Sequence, residues 1–203
     1  MKKMIALLLM LCLMAFAAGC AQTTDEPAED ETAKVVADDS NAMPTEEEIK
    51  NFYNSAYEIY QWFELGKLDV ETDSEGMVAS YTLSDGNVYG KVADDEITSM
   101  ADLEFAIYSV FSADIADQLL GYNLYKEEDG VLYELFADRG GDITRGEIVS
   151  ETVTNVEPET FTYTVTVEIV DPETMEVTGT EDIDFVAELI DGEWLFTQFR
   201  SIY

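Results

Sequence analysis

Few side chains in this sequence can do chemistry. It contains no histidine, and its two cysteines are Cys12 and Cys20. Ser-His-Asp and Cys-His nucleophilic sites are therefore excluded, and a structural zinc site would lack both of its usual ligands. Carboxylates, tyrosines, lysines and arginines remain. The densest local group is Asp138-Arg139-Gly140-Gly141-Asp142, two acids and an arginine around two glycines, between stretches that read as strands. Loops of this kind often carry binding residues. Two readings of it stand: a contact loop that enters a partner's cleft, or a tight turn in which Arg139 pairs with its neighbouring acids and the glycines supply positive φ. A calcium site through Asp138, Asp142 and Glu147 lacks the dense alternating acids of an EF-hand loop, so no metal or cofactor is expected. Tyr53, Tyr57, Tyr60, Tyr122 and Tyr125 are candidates to line the mouth of a pocket. Tyrosine beside aspartate can serve isomerase chemistry, yet no spacing here singles out such a pair. The expectation is a protein without catalytic residues.

Cys20 belongs to a different chemistry. Lys2 and Lys3 precede an uncharged apolar run from Met4 to Phe16, and Ala17-Ala18-Gly19-Cys20 closes it. The run is too short to span a bilayer and has the layout of a signal-peptide core. The ending resembles the lipobox of bacterial lipoproteins. That resemblance implies diacylglycerol on the Cys20 thiol, cleavage before Cys20 and acylation of the new amine. Two or more acyl chains suffice for stable anchoring. Residues 1–19 thus read as a lipoprotein signal peptide. The mature chain is placed outside the cytoplasm, on the outer face of the cell membrane, and the lipid is its only membrane contact.

The chain carries 10 Lys+Arg against 44 Asp+Glu, a net charge of −34. Cleavage removes two lysines and no acid, which leaves −36. A body so charged repels nucleic acid and anionic polymers and attracts a protein with a basic face. Cys12 leaves with the signal and Cys20 carries the lipid, so the mature domain has no thiol and no disulfide. Residues 20–44 are acidic and lack aromatics, and read as a disordered tether behind the lipidated cysteine. Stretched out, such a segment reaches roughly 80 Å.

Residues 45–203 suffice for one domain with a real core, and a single copy is expected. Thr45 with Glu48 forms a capping box; Ile49, Phe52, Ala56, Ile59, Tyr60 and Phe63 follow at helical spacing, and Gly66 ends the helix. A second helix starts at Ser99, with Asp102 in its box and Leu103, Ala106, Ile107, Val110 and Phe111 inward. Ser112 is expected to cap a third, with Ile115, Leu119 and Leu120 inward and Gly121 as its stop. Asp85-Gly86, Asp129-Gly130 and Asp191-Gly192 signal hairpins, and Asp171-Pro172-Glu173-Thr174 a type I turn. Residues 160–170 (TFTYTVTVEIV) and 177–189 alternate as half-buried antiparallel strands do. Most of the mass of Trp62, Phe63, Trp194 and Phe196 belongs in the core. The expected order is helix, hairpin, two helices and a meander of about six strands. This is an α+β fold with helices packed on a curved antiparallel sheet, of cystatin-like or NTF2-like cone form.

Four pieces in the C-terminal half carry a resemblance: TSMADLEFAIYSVFSADI (98–115), EEDGVLYELFADRGGDIT (127–144), FTYTVTVEIVD (161–171) and DGEWLFTQFRSIY (191–203). Together, over about residues 97–203, they resemble the IseA family of secreted inhibitors of peptidoglycan DL-endopeptidases. The most specific element is DG-x-LY followed by the Asp138–Asp142 run. The resemblance implies a non-enzymatic protein that blocks the clefts of NlpC/P60-type cysteine hydrolases in the cell wall. The other class of function open to this chain is a small-molecule-binding or enzymatic NTF2-like domain that uses a concave pocket.

Overall fold

The computed structural model describes residues 43–136 and 140–203. The expected signal peptide, Cys20 and all but the end of the expected tether lie outside the described residues. Met43–Tyr203 forms one compact unit.

The first helix, α1 (Glu46–Glu64), begins where the capping box places it. The Thr45 hydroxyl accepts from the Glu48 amide, and the Glu48 carboxylate accepts from the Thr45 amide at 2.8 Å. Glu46, Glu47 and Glu48 sit in the first turn, where the helix dipole favours acids. These contacts hold the Glu48 carboxyl below its usual range. The helix ends at Leu65, and Gly66 turns the chain away with φ 63°. Its buried residues include Tyr53 and Trp62 beside the expected Ile49, Ala56, Ile59, Tyr60 and Phe63.

Two short helices follow a hairpin, namely α2 (Met100–Tyr108) and α3 (Ala113–Gly121). Ser99 caps α2 by accepting from the Asp102 amide, while Asp102 accepts from the Thr98 amide at 3.1 Å, so the reciprocal bond falls one residue earlier than a capping box requires. Ser112 holds the N-cap position of α3 but makes no side-chain cap bond. Nor does Gly121 end that helix by taking a left-handed conformation. It is the last helical residue, and Asn123 takes that conformation at φ 53°.

Eight strands form two antiparallel sheets of four. In the first, the hairpin β1 (Ser80–Thr82) and β2 (Val88–Lys91) joins β4 (Val131–Leu135) and β3 (Tyr125–Glu128), in the order β1-β2-β4-β3. The second is a meander of β5 (Arg145–Glu157), β6 (Thr160–Val170), β7 (Val177–Ile190) and β8 (Glu193–Gln198). The expected α+β class and element order hold, but the strands divide between two sheets, because the early hairpin pairs with β4 and draws β3 and β4 away from the meander. At Asp129-Gly130 and Asp191-Gly192 both turn residues have positive φ, the backbone that matches the twist of a two-residue hairpin.

Alternation along β6 and β7 directs Phe161, Tyr163, Val165 and Val167 and their partners Ile183, Phe185 and Ala187 to one face. α1 lies across it. Tyr53 stacks on Tyr163 with ring centroids 4.2 Å apart, and Phe52 stacks on Phe196 at 4.8 Å. The free edge of β8 is covered by the link from α2 to α3: Phe196 donates its amide to Val110 and accepts from Ser112, both at 2.9 Å. The outward face of the meander is a lattice of threonines and acids. Among the described residues no helix is long and apolar enough to cross a membrane.

Candidate functional site

The predicted loop divides at the edge of what is described. Asp138 and Arg139 lie outside the described residues, as does Cys20. Gly140 and Gly141 precede Asp142, and Gly141 packs beside the chain end: a Cβ added there would stand 3.5 Å from the Tyr203 carbonyl carbon. The Asp142 carboxylate is spent within its own turn. It accepts from the Thr144 amide at 2.9 Å and the Thr144 hydroxyl at 2.6 Å, and lies 3.5 Å from Arg145 Nε. The Thr144 contacts, more than the arginine, hold its carboxyl below the usual aspartate range. Arg145 also pairs with Glu181, which accepts from Arg200 at 3.0 Å. Asp142, its side chain about half exposed, is thus joined to a network of two arginines and two acids, and Glu147 takes no part in that network.

The tyrosines expected around a pocket mouth mostly fill the interior. Tyr53, Tyr60 and Tyr125 are buried, and the Tyr125 hydroxyl donates to the Trp62 carbonyl at 2.8 Å. Tyr57 is half-buried, and Tyr122 is exposed. The inward side of the meander is therefore occupied by aromatic rings. Phe199 meets Phe185 and Phe196 there with ring centroids 4.7 and 5.0 Å away.

The outward face is organised differently. Register sets Thr164 opposite Asp184 and Thr166 opposite Asp182, and each threonine hydroxyl donates to its aspartate at 2.7 Å. Ser150 and Thr152 of β5 flank the same rows. Each aspartate is held in place by a neutral donor, so the face presents anchored acids, with no compensating cation at these positions among the described residues. It was legible in the alternation of TFTYTVTVEIV, whose outward positions are threonines, but the pairing of Thr with Asp needed the register.

The described residues include one cleft between the start of α1 and β5, of about 280 Å³, lined by Glu46, Lys50, Glu151, Thr152, Val153 and Tyr163. The Lys50 ammonium donates to the Glu151 carboxylate across it. At its base, Tyr163 is 1% exposed with its hydroxyl beside the Glu151 carboxylate; the hydroxyl of the stacked Tyr53, 2% exposed, makes no hydrogen bond. Burial pushes both phenols well above the usual tyrosine range, and the nearby Glu151 carboxylate adds to the rise. Both are neutral at any physiological pH. Leaving a buried hydroxyl unpaired costs about 1–3 kcal/mol. Tyr163 emerged from the sequence only as a core residue, because β-alternation assigns a face and cannot tell where helix cover ends.

No protein-family model matches the chain, and none of the curated proteins matches it.

Proposed function

We propose that this chain is an exported lipoprotein, held at the outer face of the membrane through Cys20, that inhibits or regulates peptidoglycan DL-endopeptidases by occluding their clefts. Its domain is read as a cystatin-like or NTF2-like cone used for protein contact and not for catalysis. One observation carries this reading furthest. The inward side of the meander is filled by side chains, while its outward face offers anchored aspartates on a body of strongly negative charge. A surface of that kind suits a partner with a basic face, and long-range attraction speeds such an encounter. The resemblance of residues 97–203 to the IseA family names the class of partner.

The test is direct. The intact protein is mixed with a purified NlpC/P60-type endopeptidase and stem-peptide cleavage is followed. Cleavage slows at micromolar inhibitor if the reading holds, and unchanged cleavage defeats it. Affinity should also weaken from low to physiological salt, since exposed charges are screened over about 8–10 Å there. Mass spectrometry of the cellular product tests the anchor: an intact Met1 with an unmodified Cys20 overturns it.

A further inference from the structure

We infer that the outer strip of α2 and α3 is a docking surface for an arginine-rich segment of a partner protein. The strip starts at a ring that the core does not claim. At about 3.6 residues per turn, the core stripe of α2 runs through Leu103 and Ile107, and this sets Phe105 on the opposite side of the helix. Phe105 is 57% exposed, and Tyr108, one turn on, is 40% exposed. From there the strip crosses to α3, where the Tyr108 hydroxyl donates to the Asp117 carboxylate. Next to Asp117, the Gln118 amide donates at 3.2 Å to the hydroxyl of Tyr122, itself 43% exposed. Single exposed apolar residues are ordinary, but rings that follow one another across two helices mark a contact surface.

Charge selects the occupant. Between residues 92 and 125 the chain has no lysine or arginine. Lys91 and Lys126, which bound that stretch, are engaged in the hairpin sheet, with Glu71 and with Asp85 and Glu128 respectively. Glu104 and Asp117 are exposed and lie near the Tyr108 ring. Among the described residues no ion pair reaches either of them. The face of an aromatic ring attracts a cation, and a guanidinium both stacks on rings and engages carboxylates through its fork of donors. An arginine set over Tyr108 therefore meets a ring and two uncompensated acids at once. A second copy of this chain brings like charge, and lysine lacks the planar fork. Asp117 also fixes the Tyr108 ring before a partner arrives, so little ordering cost is left for binding. Leu103, Ile107 and Leu119 anchor these helices in the core that backs the meander. The strip thus belongs to the helical layer, apart from the threonine–aspartate face, and does not rest on the proposed inhibition.

The experiment titrates the intact protein with the blocked peptide acetyl-Arg-Gly-Arg-Gly-Arg-amide by calorimetry, with amide chemical shifts locating the contact. Saturable binding that moves α2 and α3 amides is expected, and the lysine counterpart of the peptide should bind several-fold more weakly. Phe105→Leu keeps apolar area but removes the ring, and should weaken binding about threefold. Combined with Tyr108→Leu the loss should reach about tenfold; both side chains are exposed, so the fold should survive. Asp184→Asn, on the outward face of the meander, should leave binding unaltered. Equal loss in Asp184→Asn and Phe105→Leu would mean diffuse attraction to an acidic body and overturn the site. So would absence of saturable binding, or equal affinity for the arginine and lysine peptides. Self-association that Phe105→Leu abolishes would give the strip to a second copy and overturn the proposal. Slowed exchange of α2 amides on phosphatidylcholine vesicles without peptide would give it to lipid, with the same consequence.

Discussion

The two sheets are stabilised by different means. Strands β6 and β7 of the meander, 11 and 14 residues long, bury a continuous row of Phe, Tyr, Val and Ile under α1. The strands of the other sheet run only three to five residues, and polar side chains tie its margins. There the Tyr81 hydroxyl donates to Glu71 at 2.8 Å and the Tyr89 hydroxyl to Asp85 at 2.7 Å. Lys126 pairs with Glu128 at 3.0 Å and lies 3.6 Å from Asp85. Short hairpins cannot bury enough apolar area to hold themselves, so this sheet leans on its contacts with the second half of α1 and on exposed pairs that salt weakens. Area stabilises one half of the molecule; placement of charge tunes the other.

The largest expected effect tests the first half of that contrast. Phe185→Ala empties a site that is 0% exposed and touches Tyr53 and Phe199. It should cost about 3–5 kcal/mol, read from the denaturant midpoint; a loss under about 1 kcal/mol would mean that the meander is not the main store of stability. Next comes Gly146→Ala. Gly146 lies at an irregularity of β5, where an added Cβ would stand 2.8 Å from the Glu168 Cβ of β6. Overpacking there should cost about 1–3 kcal/mol, and an unchanged midpoint would show that the strand yields.

Tyr53→Phe runs the other way. Removing a buried hydroxyl that has no partner should raise stability by about 1 kcal/mol. It should also alter the alkaline limb. The folded-state pKa of Tyr53 lies above its ordinary 10.0, so its contribution is fully present below pH 10 and is lost as pH rises toward the folded value. The variant should unfold less steeply above pH 10, followed by tyrosinate absorbance and circular dichroism together. Identical alkaline limbs would contradict the burial of that ring.

The smallest effect belongs to the polar sheet. Glu71→Gln should leave the global midpoint unchanged while speeding amide exchange in β1 and β2. Tyr81 first, then Lys91, hold the Glu71 carboxyl below its ordinary 4.5. This local support is therefore present above that value and fades as pH falls beneath it. Exchange in the hairpin that is as slow in the variant as in the parent would remove the distinction between the sheets.

Much of this architecture was legible beforehand, where local chemistry decides. Thr45 with Glu48 fixed the start of α1, Asp-Gly pairs fixed the hairpins, and alternation fixed the inward row from Phe161 to Ala187. What stayed hidden depends on distant partners. Nothing local in Ser80–Lys91 says that it pairs with Val131–Leu135, so the division into two sheets could not be read. Ser112 and Gly121 have the right residue types for helix ends, yet Asn123 takes the left-handed position instead. That Thr144, two residues on, and Arg145 would both engage the Asp142 carboxylate also needed the fold of that turn. The α1–β5 cleft joins residues about a hundred positions apart, which only the fold brings together.

The order of the meander leaves one further consequence. β8 is shielded by the α2–α3 link, whereas β5, with 13 residues, closes the opposite edge with no strand beyond it among the described residues. Its outer main-chain donors and acceptors are a template onto which a second molecule could zip. Register irregularities and the exposed glutamates Glu147 and Glu157 stand guard along it. Those guards work by charge repulsion between copies, so salt disarms them: fibre formation or turbidity in this protein should begin at high ionic strength, from β5.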